Sequence, residues 1–183
     1  MTKVFIGGSR KISRLNLAIR ERVDNIVSKK MEVLIGDANG ADKAMQKYLA
    51  EKEYKEVIVF CMGGNCRNNI GNWKIDVCKS DRIIKDFNYY EIKDRAMSDQ
   101  ADYGFMLWDG QSKGTLNNII NLLQRGKNVL VYFSINKNFL SLKNFSELEN
   151  LLKECNPDNA RRFYHTLRIR DRLAKAQKEL KLA

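Results

Sequence analysis

Apolar residues along this chain come in short runs, each closed by small or polar residues and followed by a helical repeat. Val4, Phe5 and Ile6 stop at Gly7-Gly8-Ser9-Arg10, after which Leu15, Ile19, Val23, Ile26 and Val27 recur at helical spacing. Met31 to Ile35 stops at Gly36-Asp37-Ala38-Asn39-Gly40, and Ala41, Ala44, Met45, Tyr48 and Leu49 then share one helical face. Val57 to Phe60 is a third run. Tyr103 to Leu107 is a fourth, leading through Trp108-Asp109-Gly110-Gln111-Ser112-Lys113-Gly114-Thr115 into a helix marked by Leu116, Ile119, Ile120 and Leu123. Gly126 ends that helix, and Asn128 to Phe133 forms a fifth run. Strand, turn and helix in alternation predict an α/β fold, a Rossmann-like doubly wound parallel sheet of about five strands with right-handed crossovers. In the expected spatial order (third, second, first, fourth, fifth), the first and fourth strands are neighbours where the winding reverses, and a ligand crevice opens at their carboxyl ends.

The intervening segments are less regular. Cys61 to Trp73 is a long polar insertion that reads as a lid or mobile segment, with Trp73 either stacking on a base or anchoring the loop. Trp73 to Asp86 is irregularly helical in pattern, and a short helix with Met97 and Ala101 inward follows. Ile135 to Asn144 reads as connecting chain. Phe145, Leu148, Leu151 and Leu152 mark a short amphipathic helix, and Pro157 starts a last one. That helix is basic from Arg161 to Lys181, with Phe163, Leu167, Leu173, Ala176 and Leu180 on one face and Arg170 interrupting it. The expected organisation is a ligand-binding domain over residues 1–133 and a basic helical extension over 134–183.

Composition narrows the partners. With 183 residues, 44% apolar and 30% charged, the chain builds one core and is not a disordered protein. A formal charge of +11 favours nucleotides, nucleic acid or an acidic surface, although a solvated basic face gives the same sum. Cys61, Cys66, Cys78 and Cys155 form no CxxC pair, and the spacing of the first three matches no common zinc module, with His165 the sole histidine. Neither a metal nor a cofactor is expected. The start Met-Thr-Lys-Val-Phe-Ile-Gly-Gly runs into a strand and not a signal sequence, so a reducing cytoplasm is the expected location. No apolar run approaches the ~20 residues of a membrane span.

Three strand ends carry candidate chemistry. Gly7, Gly8, Ser9 and Arg10 combine close backbone approach, a hydroxyl and a guanidinium that forks onto phosphate. Gly36, Asp37, Gly40 and Asp42 bracket the second, where Asn39-Gly40 also reads as a plain tight turn and Asp42 as a first-turn acid. Asp109 to Thr115 opens a helix, whose unpaired N–H groups favour anions. The first turn lacks the third glycine of the dinucleotide fingerprint, and in the last the lysine precedes the glycine, unlike a phosphate-binding loop of ATPases. Ser9 and Ser112 lie outside G-x-S-x-G, and His165 is far along the chain, which excludes a serine nucleophile.

Gly-Gly-Ser-Arg at 7–10, Gly-Asp-Ala-Asn-Gly-Ala-Asp at 36–42, Arg67-Asn68-Asn69, Lys93-Asp94-Arg95-Ala96-Met97 and Trp108-Asp109-Gly110 through Gly114-Thr115 form one ordered pattern. Together they resemble the SLOG superfamily, which includes the Smf/DprA proteins, the Lonely Guy phosphoribohydrolases and the YspA-like proteins, with the YspA-like branch closest. The resemblance covers about residues 3–133. It implies a nucleotide or nucleotide-derived ligand, its phosphate held by the Gly7–Arg10 and Gly110–Thr115 turns through Gly110, Ser112, Lys113, Gly114 and Thr115. Gly36, Asp37, Gly40 and Asp42 would support it, and Arg95 stands where the superfamily's enzymes place a ligand-facing arginine.

The Lonely Guy enzymes end the corresponding motif in a glutamate that helps cleave an N-glycosidic bond. Here that position is Asn118, which hydrogen-bonds but cannot be a carboxylate nucleophile or base. A binding protein or sensor is therefore the leading expectation. The alternatives are an N-glycosidase with Asp109 as its reactive carboxylate, supported by Asp37, Asp42 or Asp94 as a second one, and a DprA-like protein binding nucleic acid through the basic C-terminal helix. Members of the superfamily often pair, and the amphipathic C-terminal helices offer a face for a homo-oligomer.

Overall fold

A computed structural model of the chain describes residues 1–180, with side chains as far as residue 175. Of the sequence features above, the side chains of Ala176 and Leu180, and Lys181 itself, lie outside what is described.

The five apolar runs are β1 (Lys3–Gly8), β2 (Glu32–Gly36), β3 (Val57–Met62), β5 (Tyr103–Trp108) and β6 (Val129–Phe133). Their spatial order is β3-β2-β1-β5-β6, all parallel, as the alternation with helices requires. Two further strands extend the sheet to seven. β4 (Lys74–Cys78) pairs parallel with β3, and β7 (Asn138–Leu142) pairs antiparallel with β6. The segment after Trp73 is thus strand where the pattern suggested irregular helix, and the segment after Ile135 is a hairpin arm where connecting chain was expected. The edge position explains the first: Ile75 and Val77 of β4 stay exposed, so burial does not mark the strand. The hairpin turn carries no glycine. Lys137 supplies its positive φ of 59°.

Side chains alternate between the two faces of the sheet. On one, Val4, Ile6, Val33 and Ile35 pack under α1 (Leu17–Ser28) and α2 (Ala41–Glu51). On the other, Phe5, Met106 and Trp108 pack under α3 (Phe87–Gln100) and α4 (Lys113–Gln124). The chain after β7 joins this second core. Leu148 and Leu151 of α5 (Phe145–Lys153), Phe163 of α6 (Pro157–Thr166) and Ile169 of α7 (Ile169–Leu180) are buried in it. The expected last helix is two helices, broken at Leu167 and Arg168, the latter at φ 49°.

The polar insertion is tied down, not hinged. Gln46 donates to Gly36 O and Asn68 O and accepts from Ile70 N. Trp73 is buried and its Nε1 donates to Tyr54 O at 2.7 Å, so it anchors the loop and does not present a stacking face. Cys61 and Cys66 are joined as a disulfide across the start of this loop, and Cys78 is buried and free. Disulfides belong chiefly to oxidising compartments, unlike the reducing one expected from the sequence. No described helix is long and apolar enough to cross a membrane.

Candidate functional site

The carboxyl ends of β1, β2 and β5 open into a cavity of about 660 Å³. It lies at the switch point, where β1 and β5 pair but their following helices cover opposite faces. Gly7, Gly8, Arg10, Asp42, Asp109, Ser112, Gly114, Thr115 and Asn118 all line it, bringing together residues from the three strand ends singled out in the sequence.

The β5–α4 side is organised by Asp109. Its Oδ1 accepts from Ser9 Oγ at 2.8 Å, Gln111 N at 3.0 Å and Ser112 N at 2.8 Å. Ser9 is fully buried beneath the cavity, with its N donating to Leu107 O and its O accepting from Ala41 N. One serine therefore joins β1, β5 and α2. Ser112 caps α4, its Oγ accepting from Thr115 N and Thr115 Oγ1. Gly110, at φ 69°, makes the turn and packs behind it.

This geometry bears on two expectations. Asp109 lines the cavity, and the hydrogen bonds it accepts fall on Oδ1 and hold the loop. It also occupies the amides of Gln111 and Ser112, an internal anion where an external phosphate was expected. Gly114 and Thr115 at the α4 N-terminus line the cavity together with Gly7, Gly8 and the exposed Arg10 and Lys11. Gly40 supports this side from behind: at φ 84° it lies directly on the Arg10 backbone, where any Cβ would collide.

The α2–α3 side is a buried charge network. Lys93 Nζ donates to Asp94 Oδ1 at 2.7 Å, and both Lys93 and Asp42 converge above Gly36, where an added Cβ would stand 3.0 Å from Nζ and 2.6 Å from Asp42 Oδ2. Burial pushes the Asp42 carboxyl up to about 6, against the pull of Lys93. Burial works against the Lys93 ammonium too, but Asp94 and Asp42 outweigh it and hold its pKa above the ordinary value. Beside them, Arg67 grips Asp37 with Nη2 at 2.6 Å and Nε at 3.0 Å, and its guanidinium lies 4.9 Å from the Tyr90 ring centroid. Burial alone would raise the Asp37 carboxyl, yet these hydrogen bonds hold it below the usual range. The Asn118 amide, oriented to donate, reaches Gly114 O and Asp94 Oδ2, each at 3.3 Å.

Two expected ligand residues leave the cleft. Arg95 points outward from α3, its side chain 60% exposed and paired with Glu91 one turn back. Lys113 lies 4.0 Å over the Phe87 ring and faces a neighbouring groove. Gly36 and Asp37 sit beneath the wall as support.

Comparison with solved structures places this architecture. The fold resembles that of DNA processing protein A from Helicobacter pylori. The two chains superpose with a TM-score of 0.55 at 18% identity, over 91% of this chain and 80% of the other. The structure of that protein concerns its mode of binding single-stranded DNA. No protein-family model and no curated protein matches the sequence. At this identity the likeness is one of fold, and no match corresponds to the expected YspA-like branch.

The cleft also contains residues that the sequence did not single out as ligand contacts. Lys11, Lys85, Phe87, Tyr90 and Lys93 line it, as does Arg162 of α6, whose Nη2 donates to Gln111 O at 3.4 Å. Lys93 had a signal, a lysine at helical spacing within an otherwise inward-facing stretch. Arg162 had none, because only tertiary packing of Phe163 against Trp108, ring centroids 6.1 Å apart, carries α6 to the cleft.

Proposed function

We propose that this chain binds single-stranded nucleic acid, with a backbone phosphate seated between the Gly7–Arg10 turn and the N-terminus of α4. The observation that carries this reading is the cation set around the seat: Arg10, Lys11 and Arg162 stand on its rim, in a chain of net charge +11. The fold shared with a protein whose single-stranded DNA binding has been described supports it. Fluorescence anisotropy with a labelled oligothymidine tests it. Binding should weaken steeply with salt through counterion release, and Arg10→Ala should weaken it about tenfold or more through loss of a charge-assisted contact. An affinity indifferent to both salt and Arg10 would sink the reading.

The buried carboxylates favour a second reading, in which a nucleotide-derived small molecule occupies the same cleft and its N-glycosidic bond is cleaved. The groups suited to that step are Asp42 and Asp94, which line the cleft close together on its α2–α3 side. Chromatography of AMP and NAD incubated with the protein would reveal released base. Turnover that survives both Asp42→Asn and Asp94→Asn would remove this assignment.

A further inference from the structure

A second cavity, of about 630 Å³, lies between α3, α4 and α7. It touches the first at Phe87, which lines both. Lys113 covers that ring from the second cavity, while its neighbours Ser112 and Gly114 face the first. The second groove is strongly basic: Arg95, Lys113, Arg125, Arg168, Arg172 and Lys175 line it against only Glu91 and Asp171 as acids.

Its floor holds an unusual charge. Arg172 donates to Asn117 Oδ1 at 2.7 Å, Asn121 Oδ1 at 2.6 Å and Gln124 Oε1 at 2.6 Å, all neutral amide oxygens, and among the described residues no carboxylate hydrogen-bonds it, although Glu91 acts on it electrostatically. Burial draws its pKa down to about 10, which leaves it charged at neutral pH. These hydrogen bonds hold its donors, but among the described residues no carboxylate is bonded to its charge in this partly desolvated site. Such a charge attracts an anion.

Resting on the nucleic-acid reading above, we infer that this groove is a second phosphate-binding segment, and that one single strand runs from the switch-point cleft past Phe87 and Lys113 onto α7. A flexible strand fits better than a duplex because the two cavities are separate concave seats joined at a single aromatic, and because a groove of cations with an aromatic at its entry suits unstacked bases. The consequence is a site that senses length: a dinucleotide fills the cleft alone, whereas a longer strand engages both.

The test uses the full chain and oligothymidines from a dinucleotide to about 12 nucleotides, within the usual span of such grooves. The variant is Arg95→Glu with Arg168→Glu. Both side chains are exposed, both stand outside the cleft, and among the described residues each is held by a surface ion pair, to Glu91 and Asp171 respectively. Circular dichroism confirms that the variant is folded. Wild-type affinity should rise with length. The double reversal should remove that rise, weakening the long oligomer about tenfold or more, lower its salt slope by about 1 for each lost contact, and leave the dinucleotide unaffected.

Length dependence and salt slope unchanged by the reversal would overturn the inference. So would displacement of the long oligomer by polyglutamate at equal charge concentration, which would mark the groove as a seat for acidic peptides. If short oligomers bind, Arg10→Ala weakens them and length adds nothing, the cleft reading stands and the groove falls alone. If no oligomer binds, both fall.

Discussion

On the α2–α3 side of the cleft, charges answer one another: the buried Asp42 and Lys93 with Asp94, and the buried Asp37 with the more exposed Arg67. On the β5–α4 side, the single carboxylate of Asp109 is spent on a hydroxyl and two amides, and the cations Arg10 and Lys11 project from the rim unburied. The two sides face the same space but differ in what they offer. The first is internally compensated and presents little net charge, so its cost is desolvation and its return is a rigid wall. The second satisfies its backbone internally and leaves its positive charge outward, so it attracts anions. In the binding mode proposed above, a phosphate would sit on the second side, and the sugar or base on the first.

Removing the centre of the buried network is the strongest way to break this contrast. Lys93→Met leaves Asp42 and Asp94 without their counter-charge and should cost about 3–5 kcal/mol of stability in urea denaturation at neutral pH, because truncating one partner strands the other. Arg10→Ala, on the rim, should cost less than about 0.5 kcal/mol. Equal losses from the two would erase the distinction between wall and rim. The Lys93→Met deficit should also shrink in acid, where the stranded carboxylates protonate.

Titration sharpens the comparison within the wall itself. The folded pKa of Asp42 is raised from 3.8 to about 6, so its contribution to stability is fully present below the unfolded value and is lost as pH rises through about 6. Two pH units correspond to about 3 kcal/mol. Asp37 has the opposite sign. Its folded pKa is lowered, so its contribution is present above the ordinary carboxylate value and is lost as pH falls through the lowered one. Asp42→Asn keeps an acceptor for Ala38 N and should flatten the stability profile between pH 4 and pH 7 (about the span of the shift). Arg67→Ala should remove the acid-side loss and leave the neutral-side one. Denaturation midpoints across this range would separate the two, and a single common profile for both variants would refute the assignment.

The difference in character between wall and rim explains what could be read from the chain. The rim is local: Gly7 to Arg10 and Asp109 to Thr115 each end an apolar run and start a helix, so period and punctuation locate them. Their meeting follows from strand order, which alternation with helices implies. The wall is not local. Lys93 stands at inward helical spacing, but its partners become visible only when α3 is laid over Gly36, and Arg95, two residues on, turns outward because a helix rotates each successive side chain by about 100°. Asp37 and Arg67 are separated by 30 residues, and nothing short-range pairs them. The edge strand β4 and the hairpin arm β7 were hidden for a related reason. Both border the parallel core where only one side is paired, so their apolar pattern is thin and the turn chemistry that would announce β7 is carried by Lys137 in place of a glycine.

A smaller effect tests the organiser of the rim. Asp109→Ala deprives the buried Ser9 hydroxyl and the Ser112 amide of their acceptor and should cost about 1–3 kcal/mol, the usual penalty for buried donors left unpaired. Asp109→Asn retains an acceptor oxygen and should lose less. Both should weaken oligonucleotide binding, since the Gly114 and Thr115 backbone is set by this turn. If Asp109→Asn abolishes binding while the fold keeps its stability, the carboxylate has a role in the ligand complex beyond shaping the loop.

The smallest expected effect separates a helix cap from a ligand seat. Ser112 caps α4 through Thr115 N at 3.3 Å, and Asn144 caps α5 through Glu147 N at 3.0 Å. Replacement of either by alanine should lower stability by about 1 kcal/mol, the ordinary worth of an N-cap. Their effects on binding should diverge. At α5 the frayed turn lies away from the residues that line the cleft, so Asn144→Ala should leave affinity for oligothymidine unchanged. At α4 the same loss frees Thr115 Oγ1 and loosens the amides of the first turn, whose alignment gives the helix end its attraction for an anion. Ser112→Ala should therefore weaken binding several-fold at a stability cost matched by its control. Equal affinities for the two variants would mean that the phosphate does not sit on α4, and would shift its seat wholly onto Gly7 to Arg10.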